Sequence, residues 1–483
     1  MVLPDGARVA VIGAGPGGLV AARHALEAGF EPTVFEASDD LGGQWYTSAG
    51  HSGIWPGMHT NTSSGLTAFS DLPPPVAHPL HPVATQMHDY LRAYAKRFGI
   101  TERIRFETPV RAVSPGWVVD GEGFDAVVLA SGRFRKPRYP PELAGFEGEL
   151  LHAFDYPGSE SFAGRRTLVY GNGVSGLEIA SDLARVTAVV SSFRKPRYVL
   201  SKVVDGVSSD WQWYTEFGVR ERRHLSRAEL GPVLTARILR IAGNPASFGA
   251  PRPDPDVLVA GTSLCQDFLV QVLERLIVCR PGISSVDGRR VVFTDGSVET
   301  VDAIVCATGY RLDLPYLDDD VHRLLVRGDE LDLYQRTLHP DLPGLGVIGQ
   351  FLLQGPYWPL LELQARWTMG VFSGAVPVPD SQRVRAVMAT PRPPLESHHV
   401  LGVLLAEEQG VSPDPLAWPG LAGELLFGPM LPARYRLSGP GARPDAAELF
   451  ANQIALGKLA TVDPADIAAL RRFGPAQVAD LIG

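Results

Sequence analysis

The chain has 483 residues, which corresponds to roughly three average domains of ~150 residues each. Hydrophobic residues make up 45% of it and charged residues 20%, as in folded globular proteins. A formal charge of −9 disfavours general affinity for nucleic acid or for an anionic membrane surface. Three cysteines without a C-x-x-C motif disfavour a disulfide scaffold, a zinc knuckle and a dithiol redox centre.

Membrane and export signals are not visible in the sequence. No stretch reaches ~18 uninterrupted apolar residues, the length of a transmembrane helix. Residues 1–6 lack the charged start of a signal peptide and lead almost directly into a predicted strand. We therefore expect a cytoplasmic protein without membrane or nucleic-acid partners.

The first motif is a glycine-rich turn between a strand and a helix. Residues Ala7–Ile12 form a short apolar run, the turn Gly13-Ala14-Gly15-Pro16-Gly17-Gly18 follows, and Leu19–Ala28 has helical character. A second predicted strand, Pro32–Glu36, ends on an acid. This order of elements is the βαβ fingerprint of dinucleotide binding.

Each residue type in this turn has a physical role. Gly13 permits the tight turn, Gly15 lets the backbone approach a pyrophosphate, and Gly18 lets the helix pack close to the strand. The helix N-terminus offers free N–H groups to the anion. Glu36 can accept hydrogen bonds from ribose hydroxyls, so this site is expected to bind an unphosphorylated adenosine, as in FAD or NAD.

The same pattern occurs a second time. Thr167–Tyr170 is a predicted strand, Gly171-Asn172-Gly173-Val174-Ser175-Gly176 is the turn, and Leu177–Arg185 is the helix. After the next strand, Arg194 follows Gly176 at the same interval at which Glu36 follows Gly18, and Lys195 stands beside it. Because arginine binds a phosphate through two hydrogen bonds, the second site is expected to bind NADP.

Each pattern closes with an apolar run that ends in small residues. Asp125–Gly132 follows the first pattern and Asp302–Gly309 follows the second. We read both as central strands that enter a glycine turn, where Gly132, Thr308 and Gly309 allow a close approach to a dinucleotide. Two nucleotide sites in one chain imply electron transfer from one cofactor to the other.

Several further motifs resemble those of the class B flavin-dependent monooxygenases, the FMO-like family. They occur in the family's order over most of the chain: Leu41-Gly42-Gly43-Gln44-Trp45, Met58-His59-Thr60-Asn61, Phe69-Ser70-Asp71-Leu72-Pro73, Phe146-x-Gly148-x-x-x-His152-x-x-x-Tyr156-Pro157, Phe293-Thr294-Asp295-Gly296-Ser297, Ala307-Thr308-Gly309-Tyr310 and Glu362-Leu363-Gln364-Ala365-Arg366-Trp367.

The resemblance implies a mechanism in which the flavin performs the chemistry. NADPH reduces FAD, the reduced flavin and O₂ give a C4a-hydroperoxide, and a soft nucleophile such as an amine or a sulfide takes the distal oxygen. It also implies that Asn61 is catalytic and lies at the reactive edge of the flavin and the nicotinamide. The predicted cofactor-binding residues are Gly13, Gly15, Pro16, Gly17, Gly18, Glu36, Gly43, Gln44, Trp45, Thr60, Asn61, Val110, Gly132, Gly171, Asn172, Gly173, Ser175, Gly176, Arg194, Lys195, Thr308, Gly309, Gln350 and Gln354.

Other functions stay open at this point. The last aromatic residue of the Phe146–Pro157 motif is Tyr156, where Baeyer–Villiger monooxygenases of this class usually have tryptophan, so the resemblance favours N- or S-oxygenation of a small nucleophile. Baeyer–Villiger oxidation of a ketone, N-hydroxylation of an amino acid or amine, and a non-catalytic flavin-binding sensor are the alternatives. A homodimer is considered, but the sequence does not decide the oligomeric state.

The chain also departs from the family pattern. Many relatives have a flavin-contacting glutamine where this chain has Leu352, and Gln350 or Gln354 is expected to replace it. Residues Ser201–Asp256 are only loosely similar, so substrate specificity cannot be inferred from them. Residues Val376–Pro415 are expected to be proline-dense and irregular.

Two remaining patterns carry weaker signals. His51, His59, His78, His81 and the pair His398-His399 have no acidic or cysteine partner at regular ligand spacing, so no metal site is predicted. The hexapeptide Phe-Arg-Lys-Pro-Arg-Tyr occurs at Phe134–Tyr139, as a predicted linker, and again at Phe193–Tyr198, where it coincides with the proposed phosphate site.

The fold class expected from these motifs is α/β, with two Rossmann-like dinucleotide-binding domains. The NADP-binding domain, residues 158–310, is predicted to be inserted into a discontinuous FAD-binding domain of residues 1–157 and 311–483. The second part is expected to end in a helical tail capped by Asp463.

Overall fold

The computed structural model of the chain describes residues 2–47, 53–391, 393, 395–455, 457, 459 and 462–473. Its architecture centres on two five-stranded sheets, in which every strand pair is parallel. Their strands are, in chain order, β1 (Arg8–Ile12), β2 (Glu31–Phe35), β3 (Ile104–Arg105), β4 (Ala126–Leu129), β5 (Glu149–His152), β6 (Thr167–Tyr170), β7 (Val189–Ser192), β8 (Ile277–Arg280), β9 (Ala303–Cys306) and β10 (Leu345–Val347).

The helices of the described residues cover both sheets and form a helical region at the C-terminal side. They are α1 (Pro16–Glu27), α2 (Ala84–Arg97), α3 (Val174–Leu183), α4 (Ser209–Trp213), α5 (Glu216–His224), α6 (Arg227–Ala242), α7 (Val257–Ala260), α8 (Phe268–Leu273), α9 (Asp319–Leu325), α10 (Trp358–Ser373), α11 (Ser381–Ala389), α12 (His398–Gln409), α13 (Ala422–Phe427), α14 (Ala446–Ala455) and α15 (Pro464–Phe473). Within those residues, no helix combines the length and the apolar content that a bilayer crossing needs.

The first sheet has the strand order β10–β4–β1–β2–β3. Its centre is apolar on both faces: Val9, Val11 and Val128 are buried on the face that α1 covers, and Ala10 and Val127 are buried on the other face, against Val113 and Val119. Helix α1 begins at Pro16 and packs against α10 from the far end of the chain. The first sheet therefore joins residues from both ends of the chain.

The second sheet repeats this arrangement with the order β8–β7–β6–β9–β5. Leu168 of β6 lies opposite Val190 of β7 and Ile304 of β9, so the strand before the second glycine turn is again central. The prediction of an α/β fold with two Rossmann-like units is confirmed by this duplication. Strand β5 pairs with β9 although it lies before the predicted boundary at residue 157, and the domain limits themselves stay a prediction.

Two links connect the sheets, and they run side by side. The chain passes from the first sheet to the second through Lys136–Pro137 and returns through Tyr310–Arg311, and these two segments pair as an antiparallel ribbon. Small antiparallel sheets flank the two units, at Val113–Ser114, Val118–Val119 and Glu122–Gly123 and at Ile283–Asp287, Arg290–Phe293 and Val298–Thr300.

The expectation of an irregular segment over Val376–Pro415 is wrong. Helices α11 and α12 occupy most of it, and the prolines stand between and around them. Leu401, Leu405 and Ala406 of α12 are buried, which leaves the helix without a clear polar face to reveal its period. Asp463 caps α15 through its carboxylate oxygen, which accepts from the N–H of Ala465 at 2.9 Å. The predicted tail beyond residue 473 lies outside the described residues.

Two of the family-like motifs form one buried ionic network. The N–H of Ser70 donates to a carboxylate oxygen of Glu362 at 2.8 Å, and the hydroxyl of Ser70 also donates to Glu362. Arg436 pairs with Asp71 at 3.1 Å and with Glu362 at 3.3 Å. Because all four side chains are buried, each charge depends on the others, and the network fixes α10 against the loop at residues 69–73.

Candidate functional site

The first glycine turn leaves no room for side chains. A Cβ built on Gly13 would lie 2.7 Å from the carbonyl oxygen of Ala130, and Gly13 has a φ of +103°. A Cβ on Gly18 would lie 1.8 Å from the carbonyl oxygen of Gly13. On Gly43, from the second predicted flavin motif, a Cβ would lie 2.9 Å from Cα of Gly15. The structure therefore brings these predicted residues together around the N-terminus of α1, where Pro16 and Gly17 begin the helix.

Glu36 lies beside this turn, as predicted. Its carboxylate accepts hydrogen bonds from the N–H of Ala14 at 2.7 Å and the N–H of Ser38 at 2.9 Å. Each carboxylate oxygen keeps a further lone pair for a ribose hydroxyl. The N–H of Thr108 donates to the carbonyl of Glu36, which places the segment that carries half-buried Val110 along the same rim.

The turn at residues 43–45 lies at the edge of the first site. Gly43 and Gln44 are exposed, whereas Trp45 is buried and packs edge-on against Trp358 at a centroid distance of 6.4 Å. The indole N–H of Trp45 has no hydrogen-bond partner among the described residues. A buried donor of this kind is expected to find a partner in the functional state.

The second glycine turn has the same construction. A Cβ on Gly171, which has a φ of +126°, would lie 2.3 Å from the carbonyl oxygen of Ala307. On Gly176, a Cβ would lie 2.1 Å from the carbonyl oxygen of Gly171, whereas no atom lies within 4 Å of a Cβ on Gly173. The open space at Gly173 and the exposed Ser175 lie at the first turn of α3, where N–H groups face an anion.

Two cations, Arg194 and Lys195, lie just after β7 and beside this turn. Arg194 and Lys195 are exposed, and the carbonyl of Lys195 accepts from the side-chain amide of Asn172 at 2.6 Å. A Cβ on Gly282 would lie 2.8 Å from Cγ of Arg194, so the arginine stem rests on a residue without a side chain. Neither cation forms an ion pair with a described residue, which leaves both available to a phosphate.

Arg197 is a third cation at this place, and the sequence motifs do not predict it. Its half-buried side chain lines a small cavity together with Asn172 and Phe193, and no described residue pairs with it. Burial lowers the pKa of its guanidinium. The second copy of the hexapeptide is the signal that could have drawn attention to it, because it adds this residue to Arg194 and Lys195.

Asn61 lies in a loop between the two units. Met58, three residues earlier, packs against the apolar cores of both. The N–H of Thr60 donates to the carbonyl of Pro82 at 2.8 Å, and its hydroxyl donates to the carbonyl of Thr62 at 2.8 Å. The side-chain carbonyl of Asn61 is buried without a hydrogen-bond partner among the described residues, so it is free to accept from a bound group.

The structure separates the two glutamines that were expected to replace Leu352. Gln350 is buried and donates to the hydroxyl of Ser131 at 3.2 Å, next to Gly132 at the end of β4. Its carbonyl oxygen has no partner among the described residues. Gln354 instead reaches Thr262, which follows β7 in the chain, at 2.5 Å. Gln350 therefore lies on the side of the first sheet and Gln354 contacts the second unit.

His152 fixes the glycine turn after β9. Its Nδ1 accepts from the N–H of Phe154 at 3.1 Å, so the neutral ring carries its proton on Nε2, which donates to the carbonyl of Gly309 at 3.0 Å. Thr308 donates to the carbonyl of Arg138 at 2.5 Å. Burial lowers the pKa of His152, which favours this neutral state. These contacts explain why histidine occurs in the Phe146–Pro157 motif.

Tyr156 and the tryptophans of the sequence patterns are mostly core residues. The Tyr156 ring stacks on Phe162, and its hydroxyl donates to Asp182 at 2.8 Å inside the second unit. Trp211 and Trp358 are buried with 5% and 3% exposure, so both are packing residues.

His398 holds the segment between Gln350 and α10. Its Nδ1 donates to the carbonyl of Pro356 at 2.6 Å. A Cβ on Gly355, which has a φ of +117°, would lie 2.7 Å from Cβ of His398 and 2.9 Å from the ring of Tyr214. Burial lowers the pKa of His398 to about 4, although the hydrogen bond to Pro356 favours the protonated ring.

This buried ring predicts a loss of stability in acid. Between pH 6.5 and about 4 the unfolded chain protonates His398 and the folded chain does not, so the free energy of unfolding falls as the pH falls. The expected contribution is about 3 kcal/mol at most. Urea unfolding of the wild type and of His398→Gln at several pH values tests this: the variant should have the shallower pH dependence, and equal slopes would contradict the assignment.

Taken together, the two turns fit two dinucleotides. Each turn places glycines where a side chain would collide with backbone, and at the second turn Gly173 faces open space. Buried polar atoms of Trp45, Asn61 and Gln350 lack partners among the described residues, as expected of groups that contact a cofactor. The fold thus contains two glycine turns of the same construction, one at each five-stranded parallel sheet.

Comparison with known proteins gives the family. The chain matches the flavin-binding monooxygenase-like family over residues 6–392. Dimethylaniline monooxygenase [N-oxide-forming] 2 of Rattus norvegicus is 32% identical over 480 residues, which cover 90% of this chain and 89% of the rat protein. The chain belongs to the flavin-binding monooxygenase-like family, and the resemblance read from its motifs is confirmed. It is therefore an oxidoreductase that binds a flavin.

Solved structures share the fold. S-allyl-L-cysteine S-oxygenase from Allium sativum aligns with a TM-score of 0.58 at 20% identity, over 98% of this chain and 95% of that one. Cyclohexanone monooxygenase from Rhodococcus sp. Phi1 bound to NADP+ aligns with a TM-score of 0.58 at 19% identity, over 84% of this chain and 97% of that one. At these identities the likeness concerns the fold alone.

Proposed function

We propose that this enzyme uses FAD, NADPH and O₂ to oxygenate the nitrogen or sulfur of a small nucleophilic substrate. The overall reaction consumes substrate, NADPH, O₂ and one proton, and gives the oxygenated substrate, NADP+ and water. The bound flavin supplies the chemistry, because it accepts a hydride and activates O₂. The observation that carries the proposal is the contrast between Glu36 at the first turn and, at the second, Arg194 and Lys195, which pair with no described residue.

In this proposal the first unit holds FAD. The glycines of the first turn admit the pyrophosphate, the helix α1 N-terminus faces it, and Glu36 accepts from the ribose. Val110 and residues 43–45 border the adenosine and the isoalloxazine, and Gln350 contacts the flavin from the end of β4. The first unit is assigned to residues 1–157 and 311–483, although β5 and the side chains of Leu143, Ala153 and Tyr156 pack with the second sheet.

The second unit, residues 158–310, holds NADPH. The turn at residues 171–176 admits its pyrophosphate, and Thr308 and Gly309 border it. Arg194 and Lys195, with Arg197 beside them, bind the 2′-phosphate, since a guanidinium forms short charge-assisted hydrogen bonds to phosphate. The coenzyme preference of the enzyme is thereby assigned to three cations on one six-residue segment.

Asn61 acts where the two units meet. Its buried carbonyl oxygen accepts a hydrogen bond from a bound group, and its amide N–H groups donate. The Thr60–Ser63 loop also excludes water from the flavin, which protects the oxygenating state from breakdown to hydrogen peroxide. N-oxygenation is favoured by the relatives that are named N-oxide-forming, and the test below includes a sulfide and a ketone.

The test measures oxygenated product and NADPH consumption in the flavin-loaded enzyme with one tertiary amine, one sulfide and one cyclic ketone. We expect an N-oxide or a sulfoxide and no ester from the ketone. Asn61→Ala should lower product per NADPH by roughly tenfold and raise hydrogen peroxide by the matching amount, because a lost hydrogen bond to a reacting group costs at least that factor. Absence of substrate-dependent product from the wild type would refute the proposal and favour a sensor.

A further inference from the structure

The loop that carries Asn61 is anchored by a residue from a distant part of the chain. Ser63 is fully buried, and its N–H donates to a carboxylate oxygen of Asp210 at 2.6 Å. The hydroxyl of Ser63 donates to the same oxygen at 2.9 Å and accepts from the indole N–H of Trp211 at 2.9 Å. Two neighbouring residues of α4 therefore hold both polar groups of one serine.

Asp210 itself has an unusual environment. It is 4% exposed, and it forms no ion pair within the described part of the chain. Its second carboxylate oxygen accepts from the hydroxyl of Ser208 at 2.5 Å, so neutral donors of Ser63 and Ser208 satisfy it. Burial raises the pKa of this carboxyl. A buried carboxylate without a cation is costly to maintain, so its contacts need an explanation beyond simple packing.

The anchor lies next to the proposed catalytic side chain. Ser63 is two residues after Asn61, and on the other side Thr60 is held through its N–H by Pro82. The loop is thus fixed at both ends, while the side-chain carbonyl of Asn61 between them has no hydrogen-bond partner in the part of the chain that the structure describes. Asp210 belongs to the segment between β7 and β8, whereas the loop precedes α2, so the contact joins two segments that are distant in the chain.

We propose that Asp210 is a positioning residue for oxygen transfer. Through the hydrogen bonds that it accepts from Ser63, it keeps the side chain of Asn61 at the position that oxygen transfer requires. The inference rests on the proposed function, because it needs Asn61 to contact a reacting group. Displacing a positioned group by about 1 Å can cost two orders of magnitude in rate. Loss of the contact between Asp210 and Ser63 is therefore expected to lower the amount of oxygenated product per NADPH more than it weakens the binding of either cofactor.

Asp210→Asn tests this with little change in shape. The amide cannot accept at both positions where the carboxylate accepts now, so the hold on Ser63 or Ser208 weakens. With flavin content and the KM for NADPH unchanged, product per NADPH should fall by roughly tenfold and hydrogen peroxide should rise to match. Glu408→Gln is the matched control: Glu408 is a buried carboxylate that accepts from Tyr334 at 2.7 Å, away from this loop, and its loss should not change the product yield.

A double-mutant cycle separates positioning from general damage. If Asp210 acts through Asn61, then Asp210→Asn should lower product per NADPH no further in an Asn61→Ala background. Multiplicative losses, or an unchanged yield in Asp210→Asn alone, would overturn the inference and leave the proposed function standing. An unchanged yield in Asn61→Ala would overturn both the inference and the proposed function.

Ser63→Ala is the second variant, for use if Asp210→Asn does not fold. It removes one donor to the intact carboxylate and should lower product per NADPH by a smaller factor. An unchanged product per NADPH in Ser63→Ala would also overturn the inference.

Discussion

Replacing Arg194 by alanine should weaken NADPH binding roughly a hundredfold and change NADH binding by less than about threefold. The guanidinium has no ion-pair partner among the described residues. Its removal therefore leaves no acidic side chain of those residues unpaired, and the change in NADPH binding reports the loss of the phosphate contact. The stem of Arg194 lies against Gly282, where a Cβ would be 2.8 Å from its Cγ, so the side chain passes beside the segment that follows β8. Steady-state KM values and equilibrium titrations with both coenzymes measure the difference.

The chain provides its own control for this experiment. Arg135 is the second residue of the first Phe-Arg-Lys-Pro-Arg-Tyr copy, as Arg194 is of the second, and it is equally exposed. Arg135→Ala removes the same charge from the same local sequence and should leave both coenzymes unaffected. Equal losses of NADPH and NADH in Arg194→Ala would show that the residue supports the fold of the site and does not select the phosphate.

Gly18→Ala should yield protein that lacks flavin. A methyl group at this position would lie 1.8 Å from the carbonyl oxygen of Gly13, and neither backbone segment can move without separating α1 from β1. The first turn of α1 would shift away from the place where the pyrophosphate is expected. We expect a loss of more than about 3 kcal/mol in the free energy of unfolding together with the loss of visible absorbance.

Gly123→Ala serves as the control for that substitution. Gly123 lies in a short surface strand where no atom would meet an added Cβ within 4 Å. Its replacement should keep the flavin and the stability of the wild type. Retention of flavin by Gly18→Ala would mean that the close approach of helix and strand is not needed for cofactor binding.

Local constraints explain what the sequence could predict. A glycine turn with its strand, its helix and Glu36 is defined within some thirty residues, and each glycine is required by a contact with nearby backbone. The motifs containing Ser70, Glu362 and His152 were also recognised from sequence, although their reason became visible only in three dimensions. Ser70 and Glu362 form one hydrogen-bonded pair across the chain.

Contacts between distant residues explain what could not be predicted. Asp210 lies 147 positions after Ser63, and nothing in its local sequence indicates a buried carboxylate. Helix α12 was missed because its buried faces hide the helical period and prolines surround it. Strand β5 looked like a continuation of the first unit because its partner β9 follows more than a hundred residues later.

The hexapeptide copies differ in their neighbours. Lys136 and Arg138 of the first copy pair with Asp313 and Asp329. Their counterparts in the second copy, Lys195 and Arg197, pair with no described residue. Two of the three cations are therefore paired in the first copy, whereas none of the three pairs with a described residue in the second. Grafting this peptide into a different enzyme would transfer coenzyme preference only onto a surface without acidic groups in reach, because such groups would neutralise the cations that bind the phosphate.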